Sequence, residues 1–188
     1  PGPHDGNVIS GNLHYGVWIV GNSVAWPAPG EPPIFTDNPD QFRYVGNTVA
    51  GNIIGLGSDG SMEIGNGAAG VFIQDSANNR IGGNSLAERN VISANLGAGI
   101  DVRGEASTVN RIQANYIGTD ALGENARGNR IYGVEINYGA FSNTVGVDGD
   151  GVGDEGEGNL ISGHSHLPGA SGIWLSSGHD NVVAGNLI

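Results

Sequence analysis

Short apolar segments recur along the chain, and within each segment the apolar residues stand two positions apart. One group begins at glycine, as in GVFI from Gly70 and GIWL from Gly172. Two further groups begin at asparagine, such as NRIGG at Asn79 and NVISA at Asn90. A spacing of two is the period of a β-strand, and the dominant Val and Ile favour strands. The pattern therefore predicts many short strands rather than helices.

The three motifs follow one another in a fixed cyclic order. We call them the Gly motif, the second motif (as at Asn79) and the third motif (as at Asn90). Their larger period is 63 residues, both from Asn47 to Asn110 and from Gly70 to Gly133. A single four-residue strand buries almost no surface, whereas stacked coils form parallel sheets around a shared apolar core. The chain is therefore predicted to be all-β, a parallel β-helix with three sheets and about five coils.

The alternation within each motif assigns side chains to the inside or the outside. The two apolar residues of the Gly motif should point inward, and the residue between them outward. The third residue of each asparagine motif should also point inward, which gives two ladders: Val49, Ile81, Ile112, Val145 and Val183, and Ile9, Ile54, Ile92, Ile117, Ile161 and Ile188. The leading asparagines are expected at the corners, where their amides bond the backbone and stack in a ladder.

Composition narrows the classes of partner. The 35 glycines and 8 prolines would suggest disorder, but 38% of residues are hydrophobic and the glycines fall at regular places. The net charge of −12 disfavours binding to nucleic acid or to anionic membranes and is compatible with cation binding. No apolar run of membrane-spanning length is present, so no membrane insertion is expected.

Three segments carry a resemblance to a known group of proteins. They are NVISGN from Asn7, NYIGTDALGENARGN from Asn115 and GDGVGDEGEGNLISG from Gly149. They resemble bacterial right-handed parallel β-helix repeat proteins of the pectate-lyase-like superfold, and the likeness covers nearly the whole chain. The resemblance implies a secreted or cell-surface repeat protein without an assigned activity. The superfold also hosts lyases, hydrolases, epimerases and adhesins, so the resemblance leaves function open.

The outward positions of the Gly motif form the main candidate for ligand binding. This row consists of Trp18, Phe72, Asp101, Glu135 and Trp174. Aromatic faces pack against sugar rings and carboxylates bond hydroxyl groups, so the row predicts a polysaccharide-binding platform. The alternative is an ordinary exposed sheet, on which aromatic residues are also common.

Asp101 and Glu135 are the candidates for catalysis. They should lie on adjacent rungs with carboxyl groups about 5 Å apart, a separation that suits a retaining glycosidase. Such a pair would share a proton. Arg80 and Arg111 should likewise stack on the neighbouring sheet; they either recognise an anion or pair with nearby acids, and we expect the latter.

A metal site is predicted in the acidic segment before Asn159. The candidate ligands are Asp148, Asp150, Asp154 and Glu155, on a glycine-rich loop of the kind that holds calcium. The alternative is a solvated acidic loop, because Val152 stands where a further oxygen ligand belongs.

The regular spacing is interrupted by an insertion loop at residues 22–46, where function often resides. Residues 1–188 are expected to form one β-helix domain, a portion of a longer repeat protein, with a surface turn at His164 and His166. Exposed terminal rungs predict end-to-end self-association. The sequence favours an extracellular structural or adhesive module that contacts polysaccharide and binds calcium. The alternative is a polysaccharide lyase, glycosidase or epimerase.

Overall fold

The computed structural model describes residues 6–21, 46–164 and 167–188. Regular structure in these ranges consists of short strands and a single 3-10 turn, Asp154–Gly156. The strands are β1 (Val8–Ile9), β2 (Val17–Val20), β3 (Thr48–Val49), β4 (Ile53–Ile54), β5 (Val71–Gln74), β6 (Arg80–Gly82), β7 (Val91–Ile92), β8 (Ile100–Arg103), β9 (Arg111–Gln113), β10 (Tyr116–Ile117), β11 (Tyr132–Asn137), β12 (Thr144–Gly146), β13 (Leu160–Ile161), β14 (Ser171–Leu175) and β15 (Val182–Ala184).

The strands form three parallel sheets of five strands each. Sheet A has the order β1-β4-β7-β10-β13, sheet B the order β2-β5-β8-β11-β14, and sheet C the order β3-β6-β9-β12-β15. The third motif supplies sheet A, the Gly motif sheet B and the second motif sheet C. Every neighbour in a sheet comes from the next coil, so the chain is a right-handed parallel β-helix of five coils. The predicted fold class is confirmed.

The predicted inward ladders form the core in all but the last rung, where Val183 and Ile188 are 41% and 68% exposed. In sheet C, Ile81 pairs in register with Ile112, which pairs with Val145, and all three side chains are fully buried. In sheet B, Val71 and Ile73 are fully buried on either side of the outward-facing Phe72. Burial of such a side chain contributes about 1.5–3 kcal/mol, and each inward residue also contacts the coils above and below.

The leading asparagines form the predicted ladders at two corners. At the corner before sheet C, the Nδ2 and backbone N of Asn79 both donate to Oδ1 of Asn110, at 2.8 and 2.9 Å. Asn110 donates in the same way to Asn143. The corner before sheet A carries an equivalent ladder through Asn7, Asn52, Asn90, Asn115, Asn159 and Asn186. The buried amides are therefore satisfied by the next coil.

A third asparagine ladder lies at the corner before sheet B, where none was predicted. Its members stand four residues before the first four Gly motifs: Asn12, Asn66, Asn95 and Asn129. In the fifth coil His164 takes the corresponding place. Its Nε2 lies 3.3 Å from the carbonyl O of Ile117. One coil earlier, Asn129 Nδ2 donates to the equivalent carbonyl O, that of Ile92. The expectation of a surface turn is therefore wrong for His164, which is half-buried at a corner; His166 lies outside the described residues.

The 63-residue period arises from two projections that lie on alternate coils. Leu56 and Glu63 close one antiparallel bridge and Thr119 and Ala126 close another, each lengthening the connection from sheet A to sheet B. The backbone N of Ala121 donates to Gly60 O at 2.9 Å and joins the two projections. Coils with and without a projection therefore alternate, which explains the two-coil unit.

Candidate functional site

The predicted outward row exists as a continuous register on sheet B. Trp18 pairs with Phe72, Phe72 with Asp101, Asp101 with Glu135, and Glu135 with Trp174. Four rungs of about 4.8 Å separate the two tryptophans, so the row spans roughly 19 Å along the helix axis.

The row is exposed at its ends and covered at its centre. Trp18 is 58% exposed and Trp174 36%, whereas Phe72, Asp101 and Glu135 are at most 7% exposed. The residues at the centre of the row face outward but lie beneath other side chains, and polysaccharide binding by the row stays a prediction. Neighbouring outward side chains are long enough to fold over the middle of the sheet.

Aromatic contacts hold the two ends of the row. Tyr15 stacks on Phe72 with ring centroids 4.5 Å apart, and Trp18 lies 5.5 Å from Tyr15. At the other end Trp174 stacks on Tyr132, with centroids 5.1 Å apart and ring planes within 8°. Each tryptophan is therefore supported by a tyrosine and keeps a face toward solvent.

Arg103 lies over the central carboxylates. Its Nε donates to Asp101 Oδ1 and its Nη2 to Asp101 Oδ2, both at 2.7 Å. The same Nη2 lies 3.5 Å from Glu135 Oε1. Arg103 is the next outward residue of β8 after Asp101. Strand alternation therefore predicts that both side chains lie on the same face, although Arg103 was not among the predicted site residues.

Burial is the main influence on the pKa values of Asp101 and Glu135. Burial raises the pKa of Asp101, and the hydrogen bond and charge of Arg103 act against that rise. Burial, followed by the charge of Asp101, raises the pKa of Glu135, while Arg103 and Asn137 act against it. Two adjacent carboxylates thus share one guanidinium, and the three groups carry a net charge of −1 when ionised.

A hollow of about 270 Å³ opens beside this cluster. Its walls include Arg103, Glu135, Asn137, Tyr138, Trp174 and Ser176. Asn137 donates its Nδ2 to Glu135 Oε1, and its own Oδ1 is buried without a donor. A second hollow of about 330 Å³ lies across Arg103 and Tyr138, against Phe72 and Asp75. The hollows place Tyr138 and Asn137 in the candidate site, neither of which was predicted.

The acidic loop brings together most of the predicted metal ligands. Asp148, Asp150, Asp154 and Glu157 each place one carboxylate oxygen within 4.8 Å of the others. Glu155 was predicted instead of Glu157, and it is exposed and outside this group. The 3-10 turn separates them: the backbone N of Asp148 donates to Glu157 Oε2 at 3.1 Å and holds that side chain under the loop.

The negative charges of the acidic loop lie close to Glu157. Burial raises the pKa of Glu157, and the charges of Asp148, Asp154 and Asp150 add to the rise. Arg111 offsets part of this charge, since its Nε lies 2.9 Å from Asp148 Oδ2. A divalent cation would offset more of it, so the donor set fits a hard cation such as calcium.

The paired arginines of sheet C lie as predicted. Arg80 and Arg111 are in register, and each pairs with an acid, Arg80 with Glu88 at 2.6 Å and Arg111 with Asp148. This confirms the expectation of pairing with neighbouring acids. Of the predicted insertion loop 22–46, residues 22–45 lie outside the described part of the chain.

Comparisons of the chain with protein families, with curated proteins and with solved structures find no match. The parallel β-helix is thus supported by the three sheets, while kinship with pectate-lyase-like proteins stays a resemblance. Within the residues described, no helix is long and apolar enough to cross a membrane.

Proposed function

We propose that the chain is an extracellular, non-enzymatic β-solenoid module that contacts polysaccharide through sheet B. The carrying observation is that Trp18 and Trp174 expose aromatic faces at the two ends of one outward row, with a polar cluster and a hollow between them. A rigid parallel sheet fixes the distance between these faces, and preorganised contacts lose little entropy on binding. The extracellular location rests on the resemblance to secreted repeat proteins.

The arrangement of the carboxylates favours binding over catalysis. Both oxygens of Asp101 accept hydrogen bonds from Arg103, which favours the ionised carboxylate and makes it a weaker general acid and nucleophile. The enzyme alternative is favoured by Glu135, which lines the hollow and has a raised pKa. A polysaccharide lyase, glycosidase or epimerase would have to use Glu135 beside an Asp101 that Arg103 holds in a bidentate ion pair.

A glycan array, combined with lyase and reducing-sugar assays, tests this function. We expect binding without turnover, and Trp174→Ala to weaken it by about tenfold or more, the loss typical of an aromatic hot spot. Tyr116→Ala on sheet A is the matched control and should leave binding unchanged. If the chain turns over a polysaccharide and Glu135→Gln or Asp101→Asn abolishes that turnover, the enzyme alternative would be favoured over the binding module.

Calcium binding by the acidic loop is part of the proposal. Asp148, Asp150, Asp154 and Glu157 would hold the ion, and Gly149 and Gly151 provide the left-handed turns between the aspartates, with φ of 76° and 81°. The ion would fasten the loop between sheets C and A.

End-to-end self-association completes the proposal. Within the described residues, β14 and β15 are edge strands of sheets B and C, while β13 is bridged by Leu187; Val183 and Leu187 are 41% and 70% exposed. Unpaired strand edges with apolar neighbours favour pairing with another chain. Sedimentation velocity over a range of concentrations tests it: a chain that stays monomeric throughout would remove this part of the proposal.

A further inference from the structure

The hollow beside Glu135 offers hydrogen-bond acceptors without matching donors. Glu135 is 7% exposed, and its Oε1 accepts from Asn137. No donor among the described residues reaches its Oε2, and that atom keeps access to solvent. Asn137 Oδ1 is buried with no donor either. A ligand that fills this hollow must therefore bring donors of its own.

The charge of the cluster selects the sign of the ligand. Arg103 is engaged at both oxygens of Asp101, so the two carboxylates outnumber the cation that serves them. The whole chain carries −12, which adds long-range repulsion toward anions. Uronate or sulfate groups would be repelled, and an ammonium group would be attracted.

The aromatic residues that line the hollow would also suit a positively charged sugar. Trp174 is backed by Tyr132 and is partly exposed, and Tyr138 is 67% exposed on the same hollow. Aromatic faces attract cations and pack against the apolar face of a sugar ring. The Tyr138 ring already faces the Arg103 guanidinium, so the open ring is that of Trp174, and a carboxylate oxygen beside such a ring is an arrangement that holds an ammonium group.

We propose that this hollow binds an amino-sugar residue of a cationic polysaccharide, with its ammonium group donating to Glu135 and its ring against Trp174. This inference rests on the proposed glycan-binding function and specifies its ligand class. Burial and the charge of Asp101 already raise the pKa of Glu135, so a bound ammonium group would offset the repulsion that the ionised carboxylate experiences.

Isothermal titration with three oligosaccharides of equal length tests the inference. The probes are a glucosamine hexamer, the N-acetylated hexamer and a galacturonate hexamer, at about 0.15 M salt and a pH at which the amino groups are protonated. We expect the glucosamine hexamer to bind at least about tenfold more tightly than the neutral one, and the galacturonate to bind least.

Two variants locate the effect. Glu135→Gln keeps the shape of the side chain and should remove most of the preference for glucosamine. Glu124→Gln makes the same change of net charge on an exposed projection and should keep the preference. Trp174→Ala, at an exposed position that tolerates truncation, should weaken both the glucosamine and the acetylated hexamer.

The outcomes distinguish the amino-sugar inference from the glycan-binding function on which it rests. If no oligosaccharide or arrayed glycan binds, the glycan-binding function itself fails. If glycans bind without preference for glucosamine, or Glu135→Gln keeps that preference, the function stands and the amino-sugar inference is overturned. A lysine-rich peptide that competes better than the glucosamine hexamer would also overturn it, by making the ligand a protein.

Discussion

Asp101 and Glu135 lie directly opposite each other on β8 and β11, and one guanidinium, that of Arg103, reaches both carboxylates. Two buried carboxylates on neighbouring rungs repel each other, and removal of the cation would leave both without compensation. The neutral variant Arg103→Met is therefore expected to lower the free energy of unfolding by about 2–3 kcal/mol near pH 7. The value lies below that for a fully buried pair because the Arg103 side chain is 38% exposed.

The loss in Arg103→Met should depend on pH in a definite direction. The folded-state pKa values of Asp101 and Glu135 already lie above their usual values, and loss of Arg103 raises them further. A raised carboxyl pKa gives stability that is present in acid and lost as the pH rises through the folded-state pKa. The deficit should therefore shrink as the pH falls from 7 toward the usual carboxyl range.

Urea unfolding of Arg103→Met and the natural chain over this pH range measures the effect. Arg130→Met is the matched control, because Arg130 is exposed and has no ion pair within the described residues. A deficit that stays constant with pH would show that Arg103 acts through packing on Phe72 and Tyr138 and not through charge.

The fold could be predicted because each part of the pattern answers one local requirement. Inward residues such as Ile112 must be apolar in every coil, and corner residues such as Asn110 must bond the next coil, so both recur at fixed spacing. The ladder before sheet B was missed because Asn95 stands apart from any strand motif. Its signal, an asparagine four residues before four of the five Gly motifs, is still present in the sequence.

The candidate site was less predictable because it depends on side chains that cross between rungs. Alternation places Asp101 and Arg103 on one face, but only the structure shows Arg103 folding back over two carboxylates. In the acidic loop the direction of the turn at Asp154–Gly156 decides that Glu157 and not Glu155 joins the cluster. A turn without periodicity offers no pattern from which to choose between them.

The asparagine ladder predicts a strong dependence on position along the solenoid. Asn110→Ala leaves the backbone N of Asn79 without its acceptor and leaves Asn79 Nδ2 with Ser76 Oγ alone. It also removes the bonds from Asn110 Nδ2 to Ser76 O and to Asn143 Oδ1. Since each unsatisfied buried group costs about 1–3 kcal/mol, we expect a loss of roughly 3–4 kcal/mol in urea unfolding. Asn47→Ala, at an exposed end of the same ladder, orphans no donor among the described residues and should cost less than about 1 kcal/mol. Equal losses at the two positions would contradict the ladder as a source of stability.

Calcium should raise the thermal midpoint of the chain through Glu157 and not through Glu155. When free calcium is about 100 times its Kd, binding adds about 2.7 kcal/mol, or roughly 5–10 °C for a chain of this size. Glu157→Gln should lose this shift, and Glu155→Gln, an equal change of charge one turn away, should keep it.

The metal-free Glu157→Gln variant should be no less stable than the natural chain near pH 7. The raised pKa of Glu157 means that its charged form is disfavoured in the folded loop, so neutralisation removes repulsion from Asp148 and Asp154. Differential scanning calorimetry with calcium and with a chelator measures both effects. A shift lost in Glu155→Gln and kept in Glu157→Gln would restore the ligand set predicted from the sequence.

The stacking of coils predicts that a core residue matters in proportion to the coils it contacts. Ile112 is fully buried between Ile81 and Val145, so Ile112→Ala removes contacts with both neighbouring rungs and leaves a cavity. We expect a loss of about 3–4 kcal/mol. Ile9, on strand β1, pairs with Ile54 alone among the described residues and is partly exposed, so Ile9→Ala should cost about 1–2 kcal/mol. Hydrogen exchange should show faster opening of the first coil alone in Ile9→Ala and of the whole solenoid in Ile112→Ala. Uniform opening in both variants would mean that the solenoid unfolds as a single unit, and the graded contribution of its coils would then be excluded.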